Sequence, residues 1–435
     1  MPILSHRSFP RAILHIDGDS FFASCEVTKN PALCGKPVVT GKERGICSSM
    51  SYEARARGVR RAMRLSEIKR ICPDVIILPS DYETYSLYSE RMYEIVRRYT
   101  PDVEEYSIDE CFADLTGMRQ VNHMSYEDMA AAIKHDVEKE LGMTFSIGLS
   151  VNKVMAKVAS KWNKPSGLTI IRGKDIHLFL EKTRVEKIWG IGPNTSMHLN
   201  KLGIVTALDF AMKTTDWVKA SFTKPMQEIH FELRGEFVYS LSIGTKHDYA
   251  SISKTRTFTP PSIDKEYVFS QLSKNIENAC IKLRRHHLFT KRIAFFLKTQ
   301  SFNYYGLEIK LSHSVCIPEE IIRVVRQQFD HVYRKGSLYR ATGITLMDLG
   351  HDDLQTADLF GQSVKIQSVN KIYDAIDRVD TRYGKHTVFL GSSFRAMTQP
   401  GHYGDRGDKS ERSKKVLKGE NARQRIGIPY LGVVK

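Results

Sequence analysis

Val103-Glu104-Glu105-Tyr106-Ser107-Ile108-Asp109-Glu110-Cys111-Phe112 reads as strand, turn and strand, with two adjacent carboxylates set into the turn. Successive side chains of a regular strand face opposite sides, so Asp109 and Glu110 can serve one site only if the backbone turns or bulges between them. The pattern predicts a tight hairpin near Ser107 and Ile108 with both acids at its tip. Like charges held so close repel unless a cation lies between them, and a divalent metal meets that need. On these residues alone, a solvated acidic turn is the other reading.

Upstream, Ala12-Ile13-Leu14-His15-Ile16 is an apolar strand that runs into Asp17, and a helix-like segment begins near Ser20. Asp17 at the strand end suits metal or phosphate chemistry, or else it caps that helix. Short strands are expected at 36–40, 75–78, 145–149 and 168–171. Helices are expected at 52–58, with Gly58 as a stop, and at 65–70, 82–99, 126–141 and 153–162. Tyr85, Tyr88, Met92, Ile95 and Val96 recur at helical spacing as a core-facing stripe. Strands alternating with helices around three acids suggest an α/β or α+β catalytic core of about 170 residues.

Beyond it, Val185 to Thr195 contains Trp189-Gly190-Ile191-Gly192-Pro193, with a helix expected from Met197 to Leu202 and a stop at Gly203. Glycines at Gly190 and Gly192 let a backbone approach a phosphodiester, and a helix N-terminus favours its charge. A plain helical hairpin is the alternative. A further α+β unit spans Ser251 to Gly350, with strands at 252–258, 292–297 and 341–346 and helices at 267–288 and 319–333. It holds 16 Lys or Arg against 8 Asp or Glu. An amphipathic stretch covers Ile366 to Tyr383, and the segment from Thr398 to Lys418 reads as linker.

The whole chain has 435 residues, enough for two to four domains, and a net charge of +16 that points to a polyanionic partner. No apolar run is long enough to span a membrane, and the N-terminus has no signal-peptide pattern, so a cytoplasmic protein without a membrane partner is expected. Seven cysteines without C-x-x-C spacing argue against disulfides and zinc.

In this order, three acids at strand ends, a basic nucleotide-facing segment and a phosphate-gripping hairpin resemble the Y-family (translesion) DNA polymerases, in particular the bacterial polymerase IV and polymerase V class. Ser107-Ile108-Asp109-Glu110 and Ser51-Tyr52-Glu53-Ala54-Arg55 are the most specific motifs. The resemblance implies an α+β multidomain right hand: a ferredoxin-like palm (1–20 and 81–171), small fingers (21–80), a helical thumb with a helix-hairpin-helix (172–247), an α+β little finger (251–350) and a C-terminal tail (351–435). It also implies template-directed, error-prone translesion synthesis from dNTPs on primer-template DNA by a monomer.

Asp17, Asp109 and Glu110, with the Gly18 carbonyl, correspond to the ligands of two Mg²⁺ ions, and Asp19 is left as structural. Ser49, Tyr52, Arg55 and Lys164, with backbone amides near Phe21 and Phe22, correspond to the dNTP-binding set. Phe22 matches the steric gate that excludes a 2′ hydroxyl. Ile46 to Ser49 correspond to the roof over the templating base, and Gly190 and Gly192 to thumb contacts with DNA. Gln355, Leu359 and Phe360 resemble a sliding-clamp peptide of irregular spacing. A nucleotidyl cyclase is disfavoured by the hairpin and the basic third unit. A non-catalytic accessory paralogue is the remaining alternative.

Overall fold

The computed structural model describes residues 8–243, 249–351, 362–383 and 386–398, which fall into two compact units. Gln355, Leu359 and Phe360 lie outside the described residues, as does the expected linker beyond Thr398.

The first unit begins with β1 (Ile13–Gly18). Its side chains alternate, so Leu14 and Ile16 enter the main core while Ile13, His15 and Asp17 face the other side. There follow α1 (Phe21–Lys29), β2 (Val38–Thr40), β3 (Ser49–Met50), α2 (Tyr52–Ala56), α3 (Leu65–Ile71) and β4 (Ile76–Leu78). The small sheet β3-β2-β4 packs with these helices through Val39, Met50, Ala54, Leu65 and Ile68. Gly58, at φ +89°, follows the end of α2 in the left-handed conformation that glycine adopts without strain.

Next come α4 (Tyr82–Arg97), β5 (Val103–Ser107), β6 (Glu110–Asp114), α5 (Met118–Asn122), α6 (Tyr126–Leu141), β7 (Phe145–Ser150), α7 (Lys153–Trp162) and β8 (Leu168–Ile170). The strands form a five-stranded sheet in the order β5-β6-β1-β7-β8, with β1 antiparallel to both of its neighbours. The expected stripe of α4 is buried throughout, and with Met129, Ile133 and Val137 of α6 it covers the face that carries Leu14 and Ile16. Each such buried aliphatic side chain contributes about 1.5–3 kcal/mol.

On the opposite face lies α7. Gly148 of β7 pairs with His15 across the strands, and a Cβ there would sit 2.2 Å from the Ala156 carbonyl oxygen and 2.3 Å from the Ser160 nitrogen. Only glycine lets the helix approach this closely. The other side of α7, through Val154, Met155, Val158 and Ala159, shares a core with Leu199, Phe210 and Ile229 from a helical cluster. That cluster comprises α8 (Ile176–Lys182), α9 (Pro193–Lys201), α10 (Ala207–Ala211), α11 (Thr215–Ser221) and α12 (Lys224–Leu233). Glu232, fully buried, accepts from the Val154 amide at 3.1 Å, and Asn152 donates to the Glu232 and Glu236 carbonyls at 2.7 Å. The sequence reading places the start of the helix after Gly192 four residues late, and it contains no counterpart of α10 to α12.

The second unit runs β9 (Ser251–Ser262), α13 (Lys265–Arg285), β10 (Leu288–Thr299), β11 (Tyr304–Val315), α14 (Pro318–Val332) and β12 (Tyr339–His351). Its antiparallel sheet has the order β11-β10-β12-β9. Leu272 and Ile276 of α13 and Val325 and Phe329 of α14 bury the side carrying Ile293, Phe295, Leu297 and Ile344. α15 (Gln362–Tyr383) and α16 (Phe394–Thr398) then join this unit, α16 packed against α13, and α15 tied to α13 through Asp377. Arg284 donates to both oxygens of Asp377 at 2.8 Å, the Ala396 amide donates to Ser270 Oγ at 2.9 Å, and Tyr373 is buried. No described helix is long and apolar enough to cross a membrane.

Candidate active site

Antiparallel register sets Asp17 of β1 directly opposite Glu110 of β6, and His15 opposite Phe112. The expected hairpin forms, with Ile108 and Asp109 as the residues between β5 and β6. The Gly18 amide donates to the Asp109 carbonyl at 2.9 Å, which ties the turn to the end of β1. Asp17, Gly18, Asp109 and Glu110 therefore line one cleft of about 560 Å³. Phe21, Phe22, Ser49, Tyr52, Arg55 and Lys164 line the same cleft, so ten residues singled out from the sequence converge there. Met50 and Arg61 also line it and had no assigned part. Gly190 and Gly192 are elsewhere. Gly190, at φ +90°, lies against Ile229, and Gly192 precedes α9 without a side-chain cap.

The helix-cap reading of Asp17 does not hold: Ser20 is the N-cap of α1, and the Asp17 carboxylate instead meets the Lys164 ammonium at 2.6 Å. Burial raises the Asp17 pKa, Lys164 opposes the shift, and the nearby charges of Glu110 and Asp109 push it up again. Two further acid–lysine pairs follow along α7, Glu110 with Lys157 and Glu104 with Lys153, the latter at 2.6 Å.

Burial works against charge on Glu110, but hydrogen bonds from His15 and Lys157 hold its carboxyl at about 2. Burial also holds the His15 imidazole at about 4, so it is neutral at pH 7 with a single N–H. A carboxylate can only accept, which assigns that hydrogen to Nε2, donating to Glu110 Oε2 at 3.0 Å. Nδ1 then accepts from the Ser160 hydroxyl at 2.7 Å.

Asp19 is a fully buried carboxylate with the Lys164 ammonium 3.7 Å away. It accepts from Ser146 Oγ at 2.8 Å, Tyr52 OH at 3.3 Å and the Ser166 amide at 2.7 Å. It thus anchors both the Tyr52 phenol and the turn after Lys164. Burial, with Asp19 adding, pushes the Tyr52 phenol up to about 12, so it remains a donor at neutral pH. Arg55 lies with its guanidinium 4.7 Å from the Tyr52 ring centre. Phe22 stacks on Tyr85 with ring centres 4.5 Å apart and planes 12° from parallel, and Tyr85 is itself fixed by donating to Glu26 at 2.7 Å.

Among the described residues no three acid, His or Cys side chains form a ready-made metal cage. The donor set nevertheless fits a hard divalent cation. It is oxygen-only, with two carboxylates opposed across the strands and a third on the adjoining turn, and the upward push that Glu110 and Asp109 exert on Asp17 is the repulsion such a cation relieves. Asp19, left as structural in the sequence reading, holds Tyr52 and the Ser166 amide, whereas His15 and Lys157 were missed as working parts of the site. Their signal was the period-two alternation of β1 and the four-residue spacing of lysines on α7.

Comparison with known proteins matches residues 16–161 to the impB/mucB/samB family and residues 249–359 to its C-terminal domain. DNA polymerase IV of Lactococcus lactis subsp. cremoris strain MG1363 is 34% identical over 361 residues, covering 80% of this chain and 96% of the relative. DNA polymerase IV of Streptococcus pyogenes serotype M1 is 32% identical over 354 residues, with the same coverage of 80% and 96%. Among solved structures, a Y-family DNA polymerase chimera of Dbh and Dpo4 superposes with a TM-score of 0.67 at 24% identity, covering 78% of this chain and all of that one. An insertion ternary complex of Dbh DNA polymerase superposes at 0.54 with 23% identity, again covering 78% of this chain and all of that one. These likenesses agree in fold with the α+β multidomain polymerase architecture.

Proposed function

We propose, because this chain belongs to the impB/mucB/samB family, the Y family of DNA polymerases, that it extends primers across damaged template bases by two-metal nucleotidyl transfer. It is a DNA-directed DNA polymerase. The observation that supports the mechanism is the gathering of three carboxylates and the triphosphate donors in a single cleft. That gathering also favours catalysis over a non-catalytic accessory role.

In the reaction the primer 3′ oxygen bonds to the α-phosphorus of the dNTP, the bond to pyrophosphate breaks, and the hydroxyl proton passes to solvent. Two Mg²⁺ ions, when bound, would acidify the attacking hydroxyl and neutralise the leaving group. Asp17, Asp109, Glu110 and the Gly18 carbonyl would hold them. Arg55 offers a forked donor for phosphate oxygens, Lys164 a mobile charge, Tyr52 and Ser49 hydroxyl donors, and Phe21 and Phe22 backbone amides at the start of α1. Phe22, braced by Tyr85, serves as a rigid gate against a 2′ hydroxyl.

Small side chains at Ser48 and Ser49 leave the roof open to altered template bases, and the sequence contains no proofreading constellation, so synthesis is error-prone. Gly190 and Gly192 and the basic second unit hold DNA through phosphates. Gln355, Leu359 and Phe360 engage a sliding clamp, and the polymerase acts as a monomer in the cytoplasm.

Primer extension on intact and lesion-bearing templates tests this reading. Synthesis should require a divalent cation, and Asp109→Ala should lower it by about a hundredfold or more. Extension by Asp109→Ala at the wild-type rate overturns the assignment.

A further inference from the structure

The two polar partners of Glu110 meet the same oxygen. His15 Nε2–H donates to Oε2 at 3.0 Å, and the Lys157 ammonium also pairs with Oε2, which leaves Oε1 for the cleft that Glu110 lines. A carboxylate tied through one oxygen presents the other in a fixed direction.

Lys157 is buried, and its ammonium lies 4.6 Å from the Tyr106 ring centre, 5.3 Å from that of Trp189 and 5.9 Å from that of Phe112. Tyr106 and Phe112 flank the acidic turn, whereas Trp189 directly precedes Gly190. Trp189 meets Tyr106 edge to face at 5.5 Å and Tyr239 at 5.8 Å. A buried ammonium whose remaining surroundings are ring faces stays where its carboxylate and those rings hold it.

We propose that Lys157 is a positioning residue that orients Glu110 with Oε1 toward the metal site, and that Tyr106 and Trp189 couple this orientation to the Gly190–Gly192 hairpin. Seating of DNA on the hairpin and the geometry of the metal ligand are thereby linked. This role presupposes the metal-dependent reading above.

The chain has three tryptophans, so Trp162→Phe with Trp217→Phe leaves Trp189 as sole reporter in the full-length protein. Mg²⁺ titrated into this protein should shift Trp189 emission, and primer-template with a chain-terminated primer should lower the Mg²⁺ concentration required. Lys157→Met should abolish the emission response and lower kcat by about 10–100-fold, with the dNTP KM changed by no more than about twofold. Lys157→Arg should recover part of both. Tyr106→Leu, which removes one ring but keeps the ion pair, should give an intermediate loss and decides the matter if Lys157→Met does not fold.

A Trp189 response and kcat that survive Lys157→Met overturn the proposal, as do an unchanged response and kcat in Tyr106→Leu should the methionine variant be unobtainable. Wild-type synthesis without any divalent cation would instead refute the underlying metal reading. Wild-type Mg²⁺ dependence together with an indifferent Lys157→Met would refute only the role of Lys157.

Discussion

At the scale of single residues, the site depends on side chains whose neighbours remove their freedom. Phe22 cannot swing aside because Tyr85 backs it, so Phe22→Ala should weaken discrimination against ribonucleotides by about 10–100-fold. Single-nucleotide insertion with matched dNTP and rNTP measures that ratio. His15 makes a prediction about pH. Its folded pKa near 4 lies below the value of about 6.5 for an unfolded histidine, so the unfolded chain takes up the proton first. Stability is therefore complete above about pH 6.5 and falls toward pH 4, by about 3 kcal/mol at most from this group. Urea midpoints across that window should show the loss in the wild type without added metal, and His15→Gln should flatten it. On the residues alone Asp109 and Glu110 read equally as a solvated turn and Asp17 as a helix cap, and it was the family resemblance that singled them out for one site. His15 was not singled out, since a histidine inside an apolar run looks like packing until cross-strand register places it beside Glu110.

At the scale of elements, α7 decides where the lysines stand. It rests on the sheet at Gly148, where an added Cβ would collide with backbone atoms that cannot yield. Gly148→Ala should cost about 1–3 kcal/mol and lift Lys157 away from Glu110. A lowered thermal midpoint together with a fall in kcat larger than the rise in dNTP KM is the expected result.

The α4 stripe and the spans of α6 and α7 were readable because their apolar spacing is regular and their ends carry clear caps. β11 escaped notice although Tyr305, Leu307, Ile309 and Leu311 alternate with exposed Tyr304, Gly306, Glu308 and Lys310. It is an edge strand whose inner residues are only half-buried, so its composition resembles a loop. α10 and α11 were not read: five and seven residues long, they are held by packing rather than propensity.

At the scale of the molecule, the family match ends at residue 359, yet α15 and α16 lie beyond it, α16 packed on α13, and α15 joined to α13 by the Arg284–Asp377 pair. Arg284 is largely buried and relies on Asp377, so Asp377→Ala should destabilise the second unit by about 3 kcal/mol. Faster hydrogen exchange in α13, with exchange in β1 and β6 unchanged, would verify this. The net charge of +16 should also make DNA affinity fall steeply with salt, which anisotropy titrations at several ionic strengths can measure.

The double allegiance of α7 bears on how such proteins exchange parts. Val154, Met155, Val158 and Ala159 belong to one core and Ala156 to another, so a crossover between α7 and α8 that imports a foreign helical cluster would bring together half-cores that never matched. A crossover between residues 243 and 249 leaves each of the cores whole. Natural recombination and laboratory chimeras should find viable hybrids at that seam and few upstream of it.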